Sequence, residues 1–152
     1  MQLTQKESNF IKDLKSQEQL CIDKYTKYSE SAHDKQLKSL FSEIASTEKQ
    51  HLDTLTQIES GTVPQMQSGS GQQGMTVFAS TYNTTPTPEK SEDEYLCKDT
   101  LTMEKHVSSV YDTSIFEFTN KDLRDVLNHI QKEEQEHGKK LYDYMSSNAM
   151  YG

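Results

Sequence analysis

The strongest constraint on this chain is an internal repeat. Asp34 and Asn120 stand 86 positions apart, each just before a helix-forming run, KQLKSLF and KDLRDVL. The same offset carries Glu18 onto Glu104, Tyr25 onto Tyr111, Leu37 onto Leu123, Ile44 onto Ile130, Glu48 onto Glu134, His51 onto His137 and Leu55 onto Leu141. Asp and Asn side chains accept hydrogen bonds from the free N–H groups at a helix start, so each half reads as two helices meeting at a cap. The pattern predicts helices near 4–32, 35–60, 91–118 and 121–147. One helical hairpin written twice makes a four-helix bundle.

Between the hairpins, residues 61–90 hold all three prolines and four of the six glycines, which is loop composition. Short turns within each hairpin force antiparallel neighbours. The connection between hairpins is long enough to run the ~40 Å length of such a helix. One long crossover between two short hairpins is the ferritin-like connectivity of an all-α bundle. The expectation is therefore a single domain over 1–152, with a hairpin at 4–60, a crossover at 61–90 and a hairpin at 91–148. Within the crossover, MTVFAS (75–80) is expected to pack as a short extended strand.

Composition agrees. Only 32% of residues are hydrophobic and the mean hydropathy is -0.90, as in a long bundle whose helices each bury one stripe. A net charge of -8 with no Lys/Arg run argues against nucleic acid and anionic membranes as partners. No stretch approaches the ~20 apolar residues of a membrane span. The opening MQLTQKESNF has no apolar signal core, so synthesis in the cytoplasm without a signal peptide is expected. Cys21 and Cys97 are too few for a disulfide framework.

The inward stripes carry the chemistry. They read Ile11, Leu14, Glu18, Cys21, Tyr25, Tyr28; Leu37, Phe41, Ile44, Glu48, His51, Leu55; Cys97, Leu101, Glu104, Val107, Tyr111, Phe118; and Leu123, Leu127, Ile130, Glu134, His137, Leu141. Apart from Tyr111 to Phe118, all steps are threes and fours, one face of a helix. Glu18, Glu48, His51, Glu104, Glu134 and His137 thus occupy core positions. Buried carboxylates are costly and repel one another, whereas two divalent cations neutralise four of them. A Glu from each of two helices plus Glu-x-x-His from each of the other two is the di-iron or di-manganese pattern. Carboxylate with imidazole suits Fe or Mn, and Zn also fits these donors.

Glu-x-x-His alone decides little, because Glu30 and His33 form a third copy. That copy lies ~120° around the helix from Glu18, in what is expected to be its last turn, where a cationic His suits the helix dipole. It reads as surface structure. Tyr25 and Tyr111 each follow a Glu by two turns. They read either as core tyrosines or as phenols bonded to a ligand carboxylate across the bundle, with a redox role beside metals as the sharper version. Cys21 reads as a small core residue. Glu133 has the chemistry to support a ligand histidine, but its repeat mate is Thr47, so it is assigned to a solvated face. His106 and His129 fall off the stripes and are expected to be exposed.

The second half resembles the coat F domain of bacterial spore coat proteins. The resemblance rests on EYLCKDTLTMEKHVSSVYDTSIFEFTN, LRDVLNHIQKEEQEHG, LYDYM and the tail NAMYG, over about 92–152. The first half is similar more loosely, through SEIASTEKQHL. This resemblance implies a ferritin-like fold, a place in the endospore coat, and other spore coat proteins or a second copy of the chain as partners. Its ferritin relatives imply Glu18 and Glu104 as terminal or bridging ligands, completed by the two Glu-x-x-His pairs. Two functions follow. One is a metal-binding coat component with oxidoreductase chemistry, such as iron(II) oxidation or peroxide breakdown. The other is a structural module whose metals only hold the bundle, with Tyr82, Tyr142, Tyr144 and Tyr151 serving contacts or cross-links.

Overall fold

The computed structural model describes residues 1–65 and 77–151. Among them are four helices, α1 (Gln5–Ser31), α2 (Lys35–Glu59), α3 (Pro88–Ile115) and α4 (Lys121–Ser147). Each begins on a side-chain cap. Thr4 and Glu7 close a capping box on α1, Asp34 accepts from the Gln36 N–H, Thr87 from the Lys90 N–H, and Asn120 from the N–H groups of Asp122 and Leu123. These caps satisfy donors that the first turn of a helix leaves free.

The largest shift from the sequence reading is in α3, which runs Pro88–Ile115 with Phe116 as its C-cap instead of 91–118. Helix α3 begins at Pro88, because Thr87 caps it and a proline at the first helical position loses no needed N–H. Helix α1 stops at Ser31 with Ala32 as its C-cap, so His33 lies outside the helix. No helix dipole needs to be invoked for His33. Instead its ring pairs with Glu92. At the end of α2, Gly61 adopts φ +93 and its N–H bonds the Ile58 carbonyl, the left-handed closure that glycine takes without strain.

Helix α1 packs mainly on α2 and α3 mainly on α4, with α1 also meeting α3 and α2 meeting α4. Cross-helix bonds set the directions. Tyr25 pairs with Glu104 while Tyr111 pairs with Glu18, so α1 and α3 run antiparallel. Lys15 pairs with Glu59 and Lys38 with the Glu30 carbonyl, so α1 and α2 are antiparallel as well. Helices α2 and α3 therefore run the same way, and the connection between them spans the length of the bundle.

Part of that connection is anchored. The Ala79 N–H and carbonyl both bond the Gln36 side chain, the N–H groups of Thr81 and Tyr82 bond Asn148, and Phe78 stands edge-on to Tyr144. Residues 77–80 form no strand. Their backbone partners are side chains of α2 and of the α4 C-cap, so no ladder forms. Met75 and Thr76, the start of the expected strand, lie outside the described residues.

The core follows the stripes. Ile11, Leu14, Leu37, Phe41, Ile44, Leu55, Leu123, Leu127, Ile130 and Leu141 are buried. Tyr28 and Leu101 are only half-buried at its edge, and the Tyr28 hydroxyl donates to Asp99. No helix among the described residues is long and apolar enough to cross a membrane.

Candidate metal centre

Glu18 comes from α1, Glu48 and His51 from α2, Glu104 from α3, and Glu134 and His137 from α4. None of the six exceeds 4% exposure. The i, i+3 spacing on α2 and α4 places a carboxylate and an imidazole on one turn, and the antiparallel pairing brings each His to the other helix's Glu. His51 Nδ1 lies 3.0 Å from Glu134 Oε1, and His137 Nδ1 lies 2.9 Å from Glu48 Oε1. His51 Nδ1 is also 3.7 Å from Glu18, and His137 Nδ1 is 3.4 Å from Glu104. The two rings stack at 6.1 Å between centroids.

The donors form two overlapping groups. Glu18, Glu48, His51 and Glu134 bring one ligand atom each within 4.8 Å of one another, as do Glu48, Glu104, Glu134 and His137. Glu48 and Glu134 belong to both groups, and Glu18 and Glu104 to one each.

Hydrogen bonding leaves this cluster unfinished. Glu18 Oε2, both oxygens of Glu48, Glu104 Oε2, Glu134 Oε2 and His137 Nδ1 are buried without a hydrogen-bond partner. The 2.9 Å approach of His137 to Glu48 is within ion-pair range but is not aligned as a hydrogen bond. Among the described residues no other side-chain N or O is left in this state. Native interiors rarely orphan polar atoms, and an unmade bond to a charged group costs more than 1–3 kcal/mol, roughly.

Titration of the cluster reflects the same deficit. Burial, then contact with Glu18, pushes Glu48 up to about 11. Burial and Glu134 push Glu104 up to about 8. Burial alone would lower His51 and His137, but the carboxylates around them outweigh it and hold both well above the usual imidazole range. Glu134 is opposed by burial, yet its contacts with Glu104, His137 and His51 hold it well below the usual carboxylate range. Without cations, protons must supply the positive charge.

Both tyrosines reach across the bundle. Tyr25 donates to Glu104 Oε1 at 2.7 Å, and Tyr111 donates to Glu18 Oε1 at 2.6 Å. Each phenol fixes one oxygen of its carboxylate, and the other oxygen, Glu104 Oε2 or Glu18 Oε2, is buried without a hydrogen-bond partner. Burial and the adjacent carboxylate hold both hydroxyls well above their ordinary range, so they act as donors. Cys21 is buried and belongs to neither donor group.

Glu133 does not sit on a solvated face as the repeat suggested. Its Oε1 lies 3.0 Å from His51 Nε2 and 3.2 Å from His129 Nε2. His129 is thus partly exposed but engaged. The sequence signal was Glu133 sitting one residue before a ligand and four after His129, and the repeat hid it because Thr47 cannot do the same. Tyr82 and Tyr144 are not free for contacts either. Tyr82 donates to Asp93 and the fully buried Tyr144 donates to Asp34, leaving Tyr142 and Tyr151 exposed at the tail and packed edge to face on each other.

Residues 92–152 match the family model of the Coat F domain. That span carries nearly all of α3, all of α4, and with them Glu104, Tyr111, Glu134 and His137. The other two carboxylates and His51 lie in the first hairpin, outside the match. No curated protein and no solved structure matches the chain.

Proposed function

We propose that the protein holds two divalent cations, Fe or Mn, at the centre of a ferritin-like bundle, and that it does so as a component of the bacterial spore coat. The supporting observation is that every orphaned buried side-chain atom among the described residues belongs to the six predicted ligands. Two divalent ions match four carboxylates in charge, leave both imidazoles neutral, and give each orphaned atom a partner. Zn fits the same donors by charge but brings no redox chemistry. The ferritin-like reading draws on the α2–α3 crossover and the crossed pairing of α1 with α3. The coat location draws on the Coat F match alone, as do other coat proteins as partners.

The test is metal analysis of protein purified without chelators, followed by the Glu48→Ala/His51→Ala double variant. About two Fe or Mn per chain, lost in the variant, is expected. Metal-free protein that takes up neither ion would sink the reading.

An oxidoreductase reading of the same site draws on Tyr25 and Tyr111. A pair of Fe or Mn ions supplies one-electron exchange with dioxygen or peroxide. The chain's part is to exclude water with its closed core and to hold the terminal carboxylates through the two phenols. Oxygen and peroxide consumption by the Fe- and Mn-loaded protein tests it, and no turnover with either metal leaves binding as the function.

A further inference from the structure

The two halves of the cluster share one hairpin pattern, yet they are not supported alike. His51 Nε2 meets Glu133 Oε1 at 3.0 Å, and Glu133 is itself braced by His129 Nε2 at 3.2 Å. A neutral imidazole that donates its Nε2 proton outward to a carboxylate presents its Nδ1 lone pair inward, as metal ligation requires. A carboxylate behind a ligand imidazole also fixes the ring and strengthens it as a donor. At His137 the repeat puts Thr47 where Glu133 would be. The Thr47 hydroxyl donates to the Glu43 carbonyl of its own helix. Among the described residues no side chain hydrogen-bonds either ring nitrogen of His137. Its Nδ1 is an orphan, whereas His51 Nδ1 is partnered by Glu134.

We propose that Glu133 is a positioning residue that makes the two metal positions unequal, so that the position of Glu18, Glu48, His51 and Glu134 fills first and the position containing His137 fills second. This rests on the two-metal reading above. Glu48 and Glu134 are shared, so a second ion would bind more weakly even in a symmetric site, and unequal affinities alone decide nothing. The identity of the first position does.

The experiment titrates the metal-free full chain with Co²⁺, followed by calorimetry and visible absorption. The His137→Ala variant is expected to keep the tight event, and His51→Ala to lose it. Glu133→Ala is expected to weaken the tight event by about 10–100-fold while its far-UV circular dichroism stays unchanged. Thr47→Glu, which copies the support onto the other half, is expected to tighten the second event. If His51→Ala and His137→Ala weaken the first event equally, or Glu133→Ala weakens both events alike, the inequality is overturned and the two-metal reading stands. A wild-type chain that binds no Co²⁺ overturns both. Should Glu133→Ala fail to fold, the two histidine variants decide alone.

Discussion

Two buried acidic clusters lie inside this bundle, and they solve the problem of burial in opposite ways. At the end where α1 turns into α2, Asp93 is fully buried and accepts from the His33 N–H at 2.9 Å, the Asp34 N–H at 3.0 Å and the Tyr82 hydroxyl at 2.7 Å. Asp34 accepts from the Gln36 N–H and the Tyr144 hydroxyl. Neither carboxylate has an unpartnered buried oxygen. At the centre, four glutamates and two histidines are buried as deeply but leave six atoms without partners. The end cluster is finished by the protein's own donors and ties the hairpin turn, the crossover and α3 together. The central one is left unfinished by the donors of the described residues.

The largest expected effect breaks the end cluster. Asp93→Ala strands two backbone N–H groups and a phenol, which should cost about 3 kcal/mol or more. Urea unfolding is expected to give the same loss with and without metal, because the end cluster makes no use of it. A loss that disappears on adding Mn²⁺ would join the two clusters into one system and undo the contrast.

Metal removal should come next. Stripping the ions with chelator is expected to lower the melting temperature, and Mn²⁺ at a hundredfold excess over its Kd should restore about 2.7 kcal/mol for each site filled. The metal-free form should also depend on pH. Glu48 and Glu104 have folded values raised to about 11 and about 8 from 4.5, so their contribution is complete below the unfolded value and falls as pH rises toward the folded ones. His51 and His137, also raised, act in the same direction above 6.5. Glu134 is lowered, so its contribution is already present throughout this range and is lost only in stronger acid. Thermal melts of metal-free protein should therefore fall between pH 5 and pH 8, and those of Mn-loaded protein should not. A metal-free curve that rises over this interval would contradict the assignment of protons to the central cluster.

Tyr25→Phe and Tyr111→Phe should each cost about 1 kcal/mol. The two losses should be similar, because the phenols occupy equivalent places in the repeat, and denaturant melts of the two variants side by side check it. The smallest effect belongs to His33→Ala. The His33 ring is exposed and pairs with exposed Glu92, so a pair screened by solvent is lost and the unfolding midpoint should hardly move. Metal content per chain should not change at all.

Much of this was legible in the sequence, for identifiable reasons. The caps at Asp34 and Asn120 and the inward burial of the six Glu and His side chains are legible because the repeat states each of them twice. What escaped lies where the repeat breaks. Glu133 was misplaced because its mate is Thr47. Asp93 went unnoticed although it lies four residues before Cys97, on the same face as Glu104, because position 7 of the first hairpin carries Glu7, which does a different job in the α1 capping box. The start of α3 at Pro88 was hidden by reading a proline as loop, when Thr87 before it makes it a helix opening. For Tyr82 and Tyr144 the sequence leaves contacts or cross-links open beside ordinary helix packing, because their partners, Asp93 and Asp34, are distant in sequence.

The central claim is that cations complete the central cluster. Anomalous scattering at the Fe and Mn absorption edges, from crystals grown without chelator, tests it most directly. Two anomalous peaks are expected between Glu48 and Glu134, one on the His51 side and one on the His137 side. Clear density for the six side chains, hydrogen-bonded only to one another and to water with no anomalous peak at either edge, would contradict it.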